Sequence, residues 1–301
     1  MYKEILEFYK QTSAYTDLGL YKDFARKLPN DIEELCVLQR SQIIHPFDIK
    51  TRSMDTNSFY GDMTKIPKTS LAFENDLFPT AISMFAELFR RDNKYSKDRS
   101  IEDKIHVCCR ENAILLASTL KAKEIPARVR SGFAFYVTVD NKTAGDHWIT
   151  EYYDEKQQRW VLVDSDMYYD EEIQKEYQID FNLMDIPRNK FVFGAEAYLG
   201  LRTNKYKEEE IYYADLKHTQ GIAAALRGLF YDFHSLMNDE IIFLHMPRYI
   251  VEKDYCLCEE ELQELDDLAT LLLNPDKNFE EIKKIWETEA KYQILCGALN
   301  V

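Results

Sequence analysis

Glycine and proline are scarce in this chain, nine and eight among 301 residues. That scarcity excludes a collagen-like or low-complexity polymer. Cysteine numbers six, at Cys36, Cys108, Cys109, Cys256, Cys258 and Cys296, too few for a disulfide scaffold. No run reaches the ~18 apolar residues that a membrane-spanning helix needs. The N-terminal MYKEILEFYK interrupts its apolar pattern with acids, so we expect no signal peptide. A cytoplasmic protein with reduced thiols follows from that expectation. Basic charge is also in deficit, with 38 Lys and Arg against 53 Asp and Glu, net −15. Such a chain repels phosphate backbones and anionic lipid, so neither nucleic acid nor membrane is an expected partner. The sequence has no Gly-rich phosphate loop and no dinucleotide fingerprint, and we expect no cofactor.

What is present is globular: 46% hydrophobic and 30% charged residues. We expect one α+β domain over 1–301, with a core at about 100–170 and helical flanks at 1–99 and 171–301. In the first flank, DIEELCVLQRSQII follows a capping Asn30-Asp31 and reads as a helix. Thr51 to Thr69 is polar and reads as loop. Pro79-Thr80 opens the helix AISMFAELF. In the core, ENAILLASTLKAKE reads as a helix stopped by Ile125-Pro126. ARVRSGFAFYVTV alternates strictly and reads as a strand, with HWITEYY and WVLVD completing an antiparallel meander. In the last flank, LKHTQGIAAALRGLFYDFHSLM, EEELQELDDLATLLL and NFEEIKKIWETEAKYQILCGAL read as helices.

Chemistry concentrates in the core. Cys109 falls where a helix begins, and the free N–H groups there favour a thiolate over a thiol. His147 opens a strand, where one ring nitrogen can meet a thiol and the other a carboxylate. Asp164 ends the next strand. A turn centred near Glu155 and Lys156 puts it directly opposite His147, on the same face. Asp166, two residues on, is the alternative acid. Nucleophile, base and acid in the order Cys, His, Asp form a generalised triad.

CRENAILLASTLKAKEIPARVRSGF, DHWITEYY and RWVLVDSD together resemble the transglutaminase-like superfamily of papain-like cysteine enzymes. The flanking YTDLGLYKDFARKLPNDIEELC and DIPRNKFVFGAEAYLGLR resemble an uncharacterised bacterial subgroup. The resemblance implies a helix-plus-antiparallel-sheet core with Cys109 as nucleophile, His147 as base and Asp164 as orienting acid. Three positions depart from the pattern: Glu124 stands where the family has glycine before Ile-Pro-Ala-Arg, Val107 replaces a glycine upstream of the nucleophile, and a second cysteine, Cys108, directly precedes it. The implied activity is acyl transfer at an amide or ester through a thioester, on a peptide, protein or small amide. The alternative is a non-catalytic peptide-binding or scaffold protein that keeps the fold. Trp148, beside the base, is a candidate to line the substrate groove, and Trp160 reads as core. Arg128 and Arg130 are placed to pair a substrate carboxylate or the protein's own acids. Cys256 and Cys258 lack a second ligand pair, so no metal site is expected. His45 reads as structural.

Overall fold

The computed structural model describes residues 2–167, 171–213, 220–243 and 245–294. Cys296 and the first residues of the helix expected from Leu216 lie outside them. The helices are α1 (Tyr2–Lys10), α2 (Lys22–Ala25), α3 (Ile32–Arg40), α4 (Pro46–Arg52), α5 (Ala81–Arg91), α6 (Cys109–Ala122), α7 (Glu171–Glu176), α8 (Gly194–Arg202), α9 (Gly221–Leu236), α10 (Arg248–Glu252), α11 (Glu259–Leu272) and α12 (Phe279–Thr288). The strands are β1 (Ile43–Ile44), β2 (Ile105–His106), β3 (Ala127–Ala134), β4 (Ala144–Asp154), β5 (Arg159–Val163), β6 (Phe191–Phe193) and β7 (Ile211–Tyr212). The α+β class read from the sequence is the one observed. The main sheet runs β5-β4-β3-β6 with β7 beside β4, and β1 and β2 form a separate parallel pair.

The chain divides into two compact units, and β3 and β4 each contribute residues to both. One comprises Leu6–Val129 and Trp148–Pro187; the other comprises Met1–Ile5, Arg130–His147 and Arg188–Val301. The division does not follow the core-and-flanks partition expected from sequence.

In the first unit the central element is α6, all fourteen of whose residues are buried. Helices α2, α3 and α5 pack on it. Leu115, Leu116 and Leu120 on α6 are each fully buried, worth about 1.5–3 kcal/mol apiece in transfer free energy. A helix buried all round must satisfy its own polar side chains. Ser118 and Thr119 do so by donating to the carbonyls of Ile114 and Leu115, four residues back. Helix α6 ends in a Schellman turn: Ile125 N–H reaches Leu120 O and Glu124 N–H reaches Lys121 O, both at 3.0 Å. That turn requires the left-handed region at its pivot, and Glu124 sits there with φ 61°. The position where the family pattern has glycine therefore has a conformational reason for it.

Several local readings hold. Thr80 caps α5 with a reciprocal Ser83 contact, and Asp31 caps α3 through Glu34 N–H. Others need correction. The strand expected through Val139 ends at Ala134; a 3-10 turn, Phe135–Val137, follows, and Val139 is exposed. The Thr138 hydroxyl fixes that turn from between the carbonyls of Phe135 and Thr143, 2.9 and 2.7 Å away, sharing its one proton between them. Ile43 and Ile44, read as the tail of a helix, form β1 and pair in parallel with Ile105 and His106. Arg40 stops the helix locally, donating from Nη1 to Ile43 O at 2.8 Å.

In the second unit β3 pairs antiparallel with β6, Gly132 opposite Phe193. Helices α8 and α9 cross at two glycines. A Cβ on Gly194 would fall 2.0 Å from the Gly228 carbonyl oxygen, and one on Gly228 would fall 2.6 Å from the Phe133 ring. Arg130 of β3 forks onto Asp232 of α9, Nε to Oδ1 at 2.8 Å and Nη2 to Oδ2 at 2.9 Å. Its guanidinium also lies over the Phe193 ring.

Candidate active site

Strand β2 feeds into α6 through Val107 and Cys108. Cys108 is the N-cap, with an extended backbone, and its carbonyl accepts the first helical bond from Asn112 N–H at 3.1 Å. Cys109 is thus the first helical residue. Its own N–H has no helical carbonyl to serve, as for every residue in a first turn. The residue is 6% exposed. The expected placement of Cys109 at a helix start is observed.

Glu111, two residues on, reaches back to the Cys108 N–H, one half of a capping box. It also accepts from Arg110 Nη1 at 2.5 Å and from Asn75 Nδ2 at 2.8 Å. Burial pushes the Glu111 carboxyl up, opposed by the Arg110 guanidinium and the first-turn amides. Arg110 and Glu111 form a wholly buried ion pair, so together they add no net charge to the helix start. The sequence signal for Glu111 was its place three residues after a cap.

Asn112, one turn beyond Cys109, is the hub of a buried network. Its Oδ1 accepts from Gln39 Nε2 at 2.7 Å and from Ser165 Oγ at 3.1 Å. Its Nδ2 donates to Asp166 Oδ1 at 3.1 Å. The Asp166 backbone carbonyl accepts from Arg40 Nε at 3.0 Å, and His45 Nε2 lies 3.9 Å from Asp166 Oδ2. Asn112 and Arg40 were not singled out in the sequence; only their spacing from Cys109 and His45 hinted at a role.

Asp164 is fully buried at the end of β5. Its Oδ1 accepts the N–H groups of Asp166 and Met167 at 3.0 and 2.9 Å, and its own N–H goes to Leu183 O. The β4–β5 register differs from the expected one. Asp154 pairs with Arg159 and Thr150 with Val163, so the next step sets Ile149, not His147, opposite Asp164. The loop is 155–158 and is centred one residue later than expected, which moves the pairing by two residues. Asp154 Oδ1 accepts from Lys156 and Gln157 N–H, and Gln158 closes the loop at φ 53°.

Cys109 and Asp164 belong to the first unit and His147 to the second. His147 is buried on β4, with its ring edge-on to Tyr136 at 6.0 Å. Trp148 is 1% exposed and among the largest buried side chains. Arg128 and Arg130, read as groups for a substrate carboxylate or for surface acids, are both buried on internal partners, Glu151 and Asp232. Trp160 meets the Tyr9 ring edge-to-face and lies under the Arg128 guanidinium. Cys256 and Cys258 are exposed and free, and no cluster of metal-ligating side chains occurs among the described residues. No helix among the described residues is long and apolar enough to cross a membrane.

No curated protein and no solved structure matches the chain. A family model does match, over residues 86–165, and its description is the transglutaminase-like superfamily. The matched stretch starts within α5, holds all of α6, β3, β4 and β5, and contains Cys109, His147 and Asp164. Residues 86–165 of this chain are therefore a transglutaminase-like core.

Proposed function

We propose that the protein is a cysteine-dependent acyl-transfer enzyme of the cytoplasm, acting on an amide or ester bond. Cys109 is the nucleophile, His147 the base and Asp164 the acid that orients it. The Sγ–H proton passes to His147 as sulfur bonds to the substrate carbonyl carbon. The tetrahedral oxyanion is met by the Cys109 N–H at the helix start. Collapse breaks the carbonyl–nitrogen or carbonyl–oxygen bond, and the leaving group departs with the proton from His147. A thioester on Cys109 remains. Water or a second amine attacks it, releases the acid or the new amide, and returns the proton to sulfur.

The observation that carries this reading is the position of Cys109 as first residue of a buried helix within the family-matched stretch. The superfamily is typically one of cysteine-dependent acyl transfer. One oxygen of Asp164 is anchored by two backbone amides, which suits a carboxylate that must hold a ring in place.

Alkylation by iodoacetamide with peptide mapping tests the proposal. At about pH 6 an ordinary thiol is well under 1% thiolate, so an activated one stands out. Cys109 is expected to label there while exposed Cys256 does not. Cys36 stays unlabelled throughout, because burial pushes its thiol far up. Equal labelling of Cys109 and Cys256 across the pH range would favour the scaffold alternative.

A further inference from the structure

Helix α9 carries a polar stripe that the acyl-transfer reading does not use. Arg227, Tyr231 and Ser235 follow one another at four-residue spacing, so they share one face. All three are buried, Arg227 at 6% exposure. The Arg227 guanidinium lies between two tyrosines, 4.6 Å from the centre of the Tyr255 ring and 5.8 Å from that of Tyr213. Its Nε is buried with no hydrogen-bond partner, and among the described residues no carboxylate pairs with it. Ser235 Oγ, eight residues along the same face, is buried and likewise has no partner. A helical serine ordinarily bonds back to the carbonyl four residues earlier; this one does not.

Neither group is explained by packing. Buried polar groups are bonded in nearly all cases, and an uncompensated buried charge costs far more than a lost hydrogen bond. The two ring faces supply attraction to the guanidinium but accept none of its N–H groups. The inward acid of α9, Asp232, is already engaged by Arg130 and by the Ser131 N–H. Among the described residues Arg227 is therefore a cation with aromatic walls and no anion.

We propose that this face of α9 is a binding site for a small carboxylate, held by Arg227 between Tyr213 and Tyr255. A guanidinium presents parallel N–H donors that match a carboxylate bidentately. One guanidinium offsets one negative charge, which favours a monocarboxylate over a doubly charged phosphate. The site lies wholly in the second unit and is independent of the Cys109 chemistry.

Thermal unfolding of the full chain at constant ionic strength tests it, with acetate, propionate and benzoate against chloride, sulfate and phosphate. The expected result is a saturable Tm rise of about 3 °C with a monocarboxylate and none with chloride. Arg227→Met should abolish that rise and, without ligand, be at least as stable as the parent, since it removes an unpaired charge. Arg227→Lys should keep the charge and weaken the response about tenfold in concentration. Three results overturn the proposal: no carboxylate response in the parent, an equal response in Arg227→Met, or a phosphate response as strong as the carboxylate one.

Discussion

Asn112 Nδ2 donates to Asp166 Oδ1 across 3.1 Å, one helical turn beyond Cys109. That bond commits Asp166 to a network with Arg40 and His45 on the same unit. Asp164, by contrast, spends one oxygen on the backbone of its own loop. The two acids, two residues apart, thus have different work. Asp164→Asn should slow Cys109 alkylation near neutral pH by about tenfold or more, with little change in Tm. Asp166→Asn should leave the alkylation rate within about threefold and cost about 1–3 kcal/mol in urea unfolding. Reversed effects would make Asp166 the orienting acid.

Glu124 holds a left-handed backbone at the end of α6. A residue with a Cβ pays about 1–2 kcal/mol there, and glycine does not. Glycine also loses more entropy on folding, which takes back part of the gain. Glu124→Gly should therefore stabilise the protein by about 0.5–1 kcal/mol, read as a higher urea midpoint at unchanged slope. The long Arg26–Glu124 contact, 3.5 Å and exposed, is too weak to reverse the sign. A lower midpoint would contradict the prediction.

Burial pushes the Lys104 ammonium down to about 7. In the unfolded chain it returns to about 10.4. Between those values the unfolded chain binds a proton that the folded protein does not, so stability rises with pH across that window. The slope from this group approaches about 1.4 kcal/mol per pH unit. Lys104→Met should remove it. Urea unfolding at about pH 7 and pH 9 gives the comparison, and parallel profiles for parent and variant would refute the assignment.

Arg130 and Asp232 are 2% and 0% exposed, so either one alone is a buried, unbalanced group. Asp232→Asn should cost about 3–5 kcal/mol, measured by chemical unfolding. Replacing both, Arg130→Met with Asp232→Leu, should recover most of that loss. A double variant as unstable as the single one would show that the pair does more than neutralise itself.

Local chemistry was readable in the sequence, and distance was not. Thr80 and Asp31 announced their helices because a cap acts on residues three positions away. Cys109 at a helix start was readable for the same reason. Arg128 and Arg130 were not, because their alternation in β3 shows a shared face but not which carboxylate meets it. Asp232 lies 102 residues from Arg130 in sequence. The β4–β5 register failed on one loop residue: nothing in Gln158 announces a positive φ. Strands β6 and β7, three and two residues long, are too short to show a period.

The crossing of α8 and α9 at Gly194 and Gly228 bears on how this gene can vary. Any single-base change in a glycine codon that alters the amino acid encodes a residue with a Cβ, or a stop. At Gly194 that atom would overlap the backbone of α9, and backbone cannot rotate aside as a side chain can. Both codons should therefore tolerate only silent third-position changes, while neighbouring surface codons on α8 drift freely. A saturation library sequenced before and after selection for folded protein would show those two positions as invariant columns.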